Sequence, residues 1–136
     1  MVKLIIVTHG PLANAFKESS KMFFGDIDGV ESIGLYPTES SEDLKEKILD
    51  SIEKIDDGDG ILVFVDFIGG SPFNVAASIL LELEGSHKLE CIAGVNMSLL
   101  MEAISARDRM DLADLVSHLE KVSKNSIINL RTKLEL

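Results

Sequence analysis

Lys3-Leu4-Ile5-Ile6-Val7-Thr8-His9-Gly10-Pro11 is the stretch on which the reading of this chain turns. After Lys3 the run is apolar at Leu4, Ile5, Ile6 and Val7 without a break. A strand with one wet face alternates, so a continuous apolar run predicts a strand over residues 3–7 that is covered on both faces. Thr8-His9-Gly10 interrupts it, and a helical spacing takes over with Leu12, Ala15, Phe16, Met22 and Phe23. Gly25 and Asp26 end that helix. A buried strand feeding an amphipathic helix is the first half of a βαβ unit.

The same alternation recurs along the rest of the chain. Residues 30–36 read as a second strand, broken by Pro37 and Thr38. Ser40 or Ser41 caps the next helix, with Glu42 and Asp43 in its first turn and Leu44, Ile48, Leu49 and Ile52 on one face. A third solidly apolar strand spans residues 61–65 and is followed by Asp66-Phe67-Ile68-Gly69-Gly70. A helix is expected over residues 71–83, a fourth strand over 89–95, and a helix over 97–107 behind Asn96 as its cap. Asp111 opens a last helix that turns Leu112, Leu115, Val116 and Leu119 inward. Residues 127–133 read either as more helix or as a short edge strand, and an edge strand there would pair with a neighbouring subunit. The sum is an α/β fold in a single domain, residues 1–136. It has a doubly wound, mostly parallel four-stranded sheet in the flavodoxin-like order 2-1-3-4 with helices on both faces.

Composition narrows the function classes. The chain has 136 residues, enough to bury one sizeable core, and is 46% hydrophobic and 26% charged, which argues for a globular protein. A formal net charge of −10 opposes binding to nucleic acid or to an anionic membrane surface. The lone cysteine, Cys91, lies in the fourth apolar run and reads as a core residue. The apolar start is too short for a membrane span and lacks a cleavage pattern, so a cytoplasmic location is expected.

In an open parallel sheet, ligands bind beyond the carboxyl ends of strands where the strand order reverses. His9 follows strand one and Asp66 follows strand three, so the two are expected across that crevice from each other. A carboxylate accepting from imidazole Nδ1–H sets the tautomer, frees the Nε2 lone pair and stabilises positive charge on the ring. His9 is then the nucleophile and Asp66 its orienting group. Thr8-His9-Gly10-Pro11 and Gly69-Gly70-Ser71-Pro72 both lead into helices, whose free amides suit phosphate oxygens. Ser71 is expected at the N-cap and Pro72 at the first helical position. Thr8, Gly10, Gly70 and Ser71 are the candidate phosphate-binding residues. No metal ligands cluster there, and a Gly-Lys-Ser/Thr phosphate loop is absent, so neither a metal nor a bound cofactor is implied. Thr8 stands where a histidine phosphatase needs arginine, and strand one lacks the acidic pair of a magnesium-binding receiver. His87 and His118 receive no role; Met97, Met101 and Met110 read as filler.

The residues resemble the IIA domain of mannose-family sugar phosphotransferase systems along nearly the whole chain. The resemblance is sharpest at Ile5-Ile6-Val7-Thr8-His9-Gly10, at Val65-Asp66 with Gly69-Gly70-Ser71-Pro72-Phe73-Asn74, and at Ile92-Ala93-Gly94-Val95-Asn96. It implies that HPr donates a phosphoryl group to His9, that Asp66 orients His9, and that Ser71 contacts the phosphoryl group. It further implies a separate IIB protein as acceptor, a membrane IIC/IID pair that moves the sugar, and an association with the membrane only through that complex. Some members complete their sheet with a C-terminal strand exchanged in a homodimer. Phe67, Ile68 and Phe73 are expected to supply apolar docking area around the site. The sugar is not legible, because a IIA protein does not touch it. Two other readings stay open: a IIA-like phosphotransfer subunit serving a dihydroxyacetone kinase, and a non-catalytic regulatory module.

Overall fold

The computed structural model describes residues 1–136. Four parallel strands, β1 (Lys3–His9), β2 (Val30–Leu35), β3 (Ile61–Val65) and β4 (Leu89–Ala93), lie in the order β2-β1-β3-β4. Helices α1 (Leu12–Phe24), α2 (Ser41–Ile55), α3 (Ser71–Glu82), α4 (Met97–Ala106) and α5 (Leu112–Ser123) cover the sheet, and α6 (Leu130–Lys133) is one terminal turn. The expected α/β class, parallel sheet and strand order are those found.

The unbroken apolar runs have a direct cause. Successive strand side chains point to opposite faces. Leu4, Ile6, Leu62 and Phe64 enter one core with α1, α4 and α5, while Ile5, Val7, Ile61, Val63 and Val65 enter a second core with α2 and α3. Both faces of β1 and β3 are therefore dry, which no alternating strand would tolerate. A one-residue slip would only exchange the two apolar sets, so register must be held by something else. The flanking turns do this: the Lys3 N–H donates to the Gly60 carbonyl and the Leu4 N–H to the Gly29 carbonyl, both at 2.9 Å. Arg107, 4% exposed, donates to the carbonyls of Asp28 and Gly29 at 2.6 and 3.1 Å and locks the entry to β2.

Helix starts follow their caps. Ser40 and Asp43 form a reciprocal capping box on α2, and Asn96 and Asp111 accept from the Leu99 and Asp114 amides on α4 and α5. The start of α3 departs from expectation. Gly70 occupies the N-cap and Ser71 is the first helical residue, so the Ser71 hydroxyl is not spent on capping. Strand ends also move. β1 runs on to His9 because Thr8 and His9 still pair with Gly34 and Leu35, and β4 stops at Ala93.

The apolar residues that signalled α1 are largely not the ones it buries. Ala13 and Ser20 face the core, with Phe16 half-buried, while Leu12, Met22 and Phe23 stay outside. Small residues let α1 lie close to the sheet, and the Ser20 hydroxyl is satisfied by the Phe16 carbonyl at 2.8 Å. Residues 127–133 hold no strand in the single chain; Leu130–Lys133 make a helical turn, and Ile127, Ile128 and Leu130 are exposed. Cys91 faces the second core as expected, and burial pushes its thiol up to about 11, which makes it inert at neutral pH.

Replacing Phe64, which is fully buried on β3 in the core shared with α1, α4 and α5, removes a large side chain from a dry core. Phe64→Ala is expected to cost about 3–5 kcal/mol. Met22→Ala, at a side chain 84% exposed, is expected to stay within about 0.5 kcal/mol. Urea unfolding of the two variants beside wild type checks both values.

Candidate active site

β1 and β3 are neighbours, paired in parallel with Val7 opposite Val65. Two residues beyond Val7, His9 is the last residue of β1; one residue beyond Val65, Asp66 follows β3. The two side chains thus emerge side by side at the carboxyl end of the sheet, where the chain order reverses. Asp66 Oδ2 accepts from the His9 backbone N–H at 2.9 Å and lies 2.7 Å from the ring Nδ1. An ionised carboxylate only accepts, so Nδ1 carries the proton and Nε2 the free lone pair. The other carboxylate oxygen accepts from the Phe67 N–H at 3.0 Å.

Burial is the largest single influence on the Asp66 carboxyl and pushes its pKa up. The hydrogen bonds from the His9 backbone and ring, the His9 charge and the Phe67 amide together outweigh it and hold the group below the ordinary carboxylate range. The carboxylate therefore stays charged at neutral pH. Its side chain is 9% exposed against 44% for His9, so the orienting group is sheltered and the ring is presented outward.

Steric constraints shape the rest. The Phe67 ring stacks on the His9 ring with centroids 5.0 Å apart and planes 6° from parallel. A Cβ on residue 70 would lie 2.9 Å from His9 Cε1 and from two Phe67 ring carbons, so only glycine admits both rings. Gly10 has φ of 57° and donates its N–H to the Leu35 carbonyl at 2.8 Å, turning the chain out of β1. Gly34 was not among the expected site residues, yet a Cβ there would lie 2.2 Å from the Gly10 carbonyl oxygen. A glycine inside a strand is the signal that marks such a close backbone approach.

The other candidates divide. Thr8 is fully buried; its hydroxyl accepts from the Ala13 N–H at 2.7 Å and donates to the His9 carbonyl at 3.2 Å. Its side chain braces the start of α1 and is not available to a phosphate. Ser71 stands at the mouth of the site on the first turn of α3, and the amides of Ser71 and Phe73 have no acceptor within the helix. Of the expected docking residues, Phe67 and Ile68 are 52% and 76% exposed, whereas Phe73 is half-buried against the second core. Tyr36, which lines the recess beside His9 with Gly10, Leu35, Pro37 and Glu39, and Leu12 are exposed apolar groups the sequence reading passed over. A larger recess follows the open edge of β2 between α1 and α2. There Lys47 donates to the Gly34 carbonyl at 3.2 Å and Lys54 pairs with Glu31 at 3.0 Å, so lysines cover the strand edge. His118 pairs with Glu102 at 2.7 Å between α4 and α5, and His87 sits against Ser86 at 3.0 Å, both away from this mouth.

Fold and site together define a doubly wound α/β protein that presents a carboxylate-oriented histidine beside a free helix N-terminus. The sequence model of the family described as "EIIA-man: PTS system fructose IIA component" matches residues 3–120. The fructose-specific EIIA component of Bacillus subtilis (strain 168) is 34% identical over 126 residues, covering 93% of this chain and 84% of that protein. The mannose-specific EIIAB component of Escherichia coli (strain K12) is 38% identical over 107 residues, 79% of this chain but 32% of that longer protein. The crystal structure of the phosphotransferase system component EIIA from Streptococcus agalactiae superimposes with a TM-score of 0.89 at 31% identity, over 97% of this chain and 99% of that one. The chain belongs to the mannose-family IIA components of the sugar phosphotransferase system, and so to a class of phosphotransferase components. No helix in it is long and apolar enough to cross a membrane.

The depressed Asp66 carboxyl carries a pH signature. Because the folded value lies below the unfolded one of about 3.9, its stabilisation is complete above that value and is lost as pH falls through the folded value. The stability difference between wild type and Asp66→Asn is expected to be largest near pH 7 and to shrink below about pH 4. Chemical denaturation across pH 3 to 7 measures it, the range following from that carboxyl value of about 3.9.

Proposed function

We propose that the chain is a phosphohistidine carrier: His9 accepts a phosphoryl group from phospho-HPr and passes it to a IIB domain or protein of a mannose-family sugar uptake system. The observation that carries this reading is the 2.7 Å hydrogen bond between His9 Nδ1 and Asp66, set at the switch point beside the free amides of α3. The Nε2 lone pair attacks phosphorus in line with the donor's phosphorus–nitrogen bond. A new N–P bond forms on His9 as the donor's bond breaks, and its electron pair returns to the donor imidazole. The His9 ring becomes a phosphoimidazolium, whose positive charge sits against the Asp66 carboxylate and whose Nδ1 proton stays where it was. The same steps in reverse, with a IIB histidine as acceptor, discharge it.

Phosphoryl transfer asks mainly for positioning and for neutralisation of charge on the oxygens. The Ser71 and Phe73 amides and the Ser71 hydroxyl are the groups at hand for that, the Gly10 amide being held by the Leu35 carbonyl. Phe67, Ile68, Tyr36 and Leu12 form an apolar rim on which carrier proteins can dock. In this reading the protein works in the cytoplasm and meets the membrane IIC/IID pair only through IIB. Ile127, Ile128 and Leu130, exposed in the single chain, suit an exchange contact of residues 127–133 in a homodimer. The relatives' names include fructose, mannose and sorbose, in keeping with a component that does not contact the sugar.

Labelled phosphoenolpyruvate, enzyme I and HPr are expected to label the wild-type protein with an acid-labile, base-stable bond, and His9→Ala not at all. Asp66→Ala is expected to slow labelling on the order of 100-fold, since tautomer and charge support are both lost. A folded wild type that takes no label from active HPr sinks the carrier reading.

A further inference from the structure

The His9 ring is attached at Cβ and held by Asp66 at Nδ1. Those two points leave one motion, a swing of the ring about the line joining them. Nε2 and Cε1 lie off that line, so the swing moves the reacting nitrogen, and a hydrogen bond at one atom opposes it only weakly. With its side chain 44% exposed, His9 receives little packing from the rest of the chain. What lies against its face is the Phe67 ring, nearly parallel at 6° with centroids 5.0 Å apart, inside the range of favourable offset stacks.

The stack is built in, not a chance approach of two exposed rings. The Phe67 N–H is bound to Asp66 Oδ1 at 3.0 Å while Oδ2 of the same carboxylate holds His9, so one group anchors both partners. Gly70 then leaves room for both ring edges, since a Cβ would meet His9 Cε1 and the Phe67 Cε2 and Cζ at 2.9 Å each. We infer that Phe67 is a positioning residue of the transfer site. Asp66 holds the edge of the imidazole, and Phe67 backs its face, so that the Nε2 lone pair keeps one direction. The inference rests on the carrier reading and deepens it, for a misplaced reacting atom can cost about 100-fold in rate at a displacement of about 1 Å. It also revises the expectation that Phe67 serves partner docking alone.

Docking and positioning separate experimentally. Phe67→Ala, at a half-exposed site where folding should survive, is expected to lower kcat for acceptance from phospho-HPr about tenfold with KM within about twofold. Phe67→Tyr, which keeps the stacking face, is expected to restore kcat to within about twofold of wild type. In nuclear magnetic resonance spectra of the unphosphorylated protein at one fixed pH, the His9 ring protons are expected upfield from the Phe67 ring current. They should move downfield in Phe67→Ala, return in Phe67→Tyr, and stay in place in Ile68→Ala. A raised KM with unchanged kcat in Phe67→Ala overturns the inference in favour of docking, and ring resonances unmoved by that substitution overturn the stack itself. A wild type that takes no label overturns the carrier reading and the kinetic role with it, while the resonances still report whether the rings are stacked.

Discussion

The parallel pairing of β1 with β3 is the constraint on which the rest depends. It sets Val7 opposite Val65, and the layout at the mouth of the sheet is decided by the next residues of each strand. His9 and Asp66, 57 positions apart, become hydrogen-bond partners because two strands of matched register end together. That register is secured at the far end of the sheet through the Lys3–Gly60 backbone bond, while the Leu4–Gly29 bond and the Arg107 clamp on Asp28 and Gly29 hold β2 beside β1.

At the mouth itself a single carboxylate organises its surroundings. Asp66 collects the His9 amide, the His9 ring and the Phe67 amide, which satisfies a sheltered anion and keeps it charged. The tautomer that results is the one in which Nε2 faces outward with its lone pair. Glycine supplies what polar contacts cannot: Gly34 lets the Gly10 carbonyl close over β2, and Gly70 lets two rings share one space. The site is thus rigid on its inner side and open on its outer side, as the proposed exchange of a phosphoryl group with protein partners requires.

How much was readable beforehand differs by level. β1 and β3 were legible because each is dry on both faces and forms a continuous apolar run, β2 and β4, which carry Glu31 and Glu90, because the strand–helix alternation recurs; strand order came from the doubly wound pattern. His9 and Asp66 were legible because each stands within two residues of the end of such a run. Thr8 was misplaced: a hydroxyl next to a candidate nucleophile reads as a ligand for phosphate, but only three-dimensional packing reveals that it turns inward to the Ala13 amide. Phe73 likewise reads as surface apolar area until α3 is seen to turn it towards the second core. In α1 the period was right and the face was wrong, because the exposed stripe of Leu12, Met22 and Phe23 is as apolar as the buried one.

By itself, then, the amino-acid sequence determined the α/β class, the boundaries of most elements to within a residue or two, and the pair of side chains that face each other at the switch point. These depend on local periodicity and on the residues directly after each strand, both properties of the linear chain. Only the tertiary structure decided the stacking of Phe67 on His9, the demand for glycine at 34 and 70, and which polar groups near the site are free. Those are distances between atoms brought together by folding, and a one-dimensional pattern carries no measure of how closely two backbones or two rings approach.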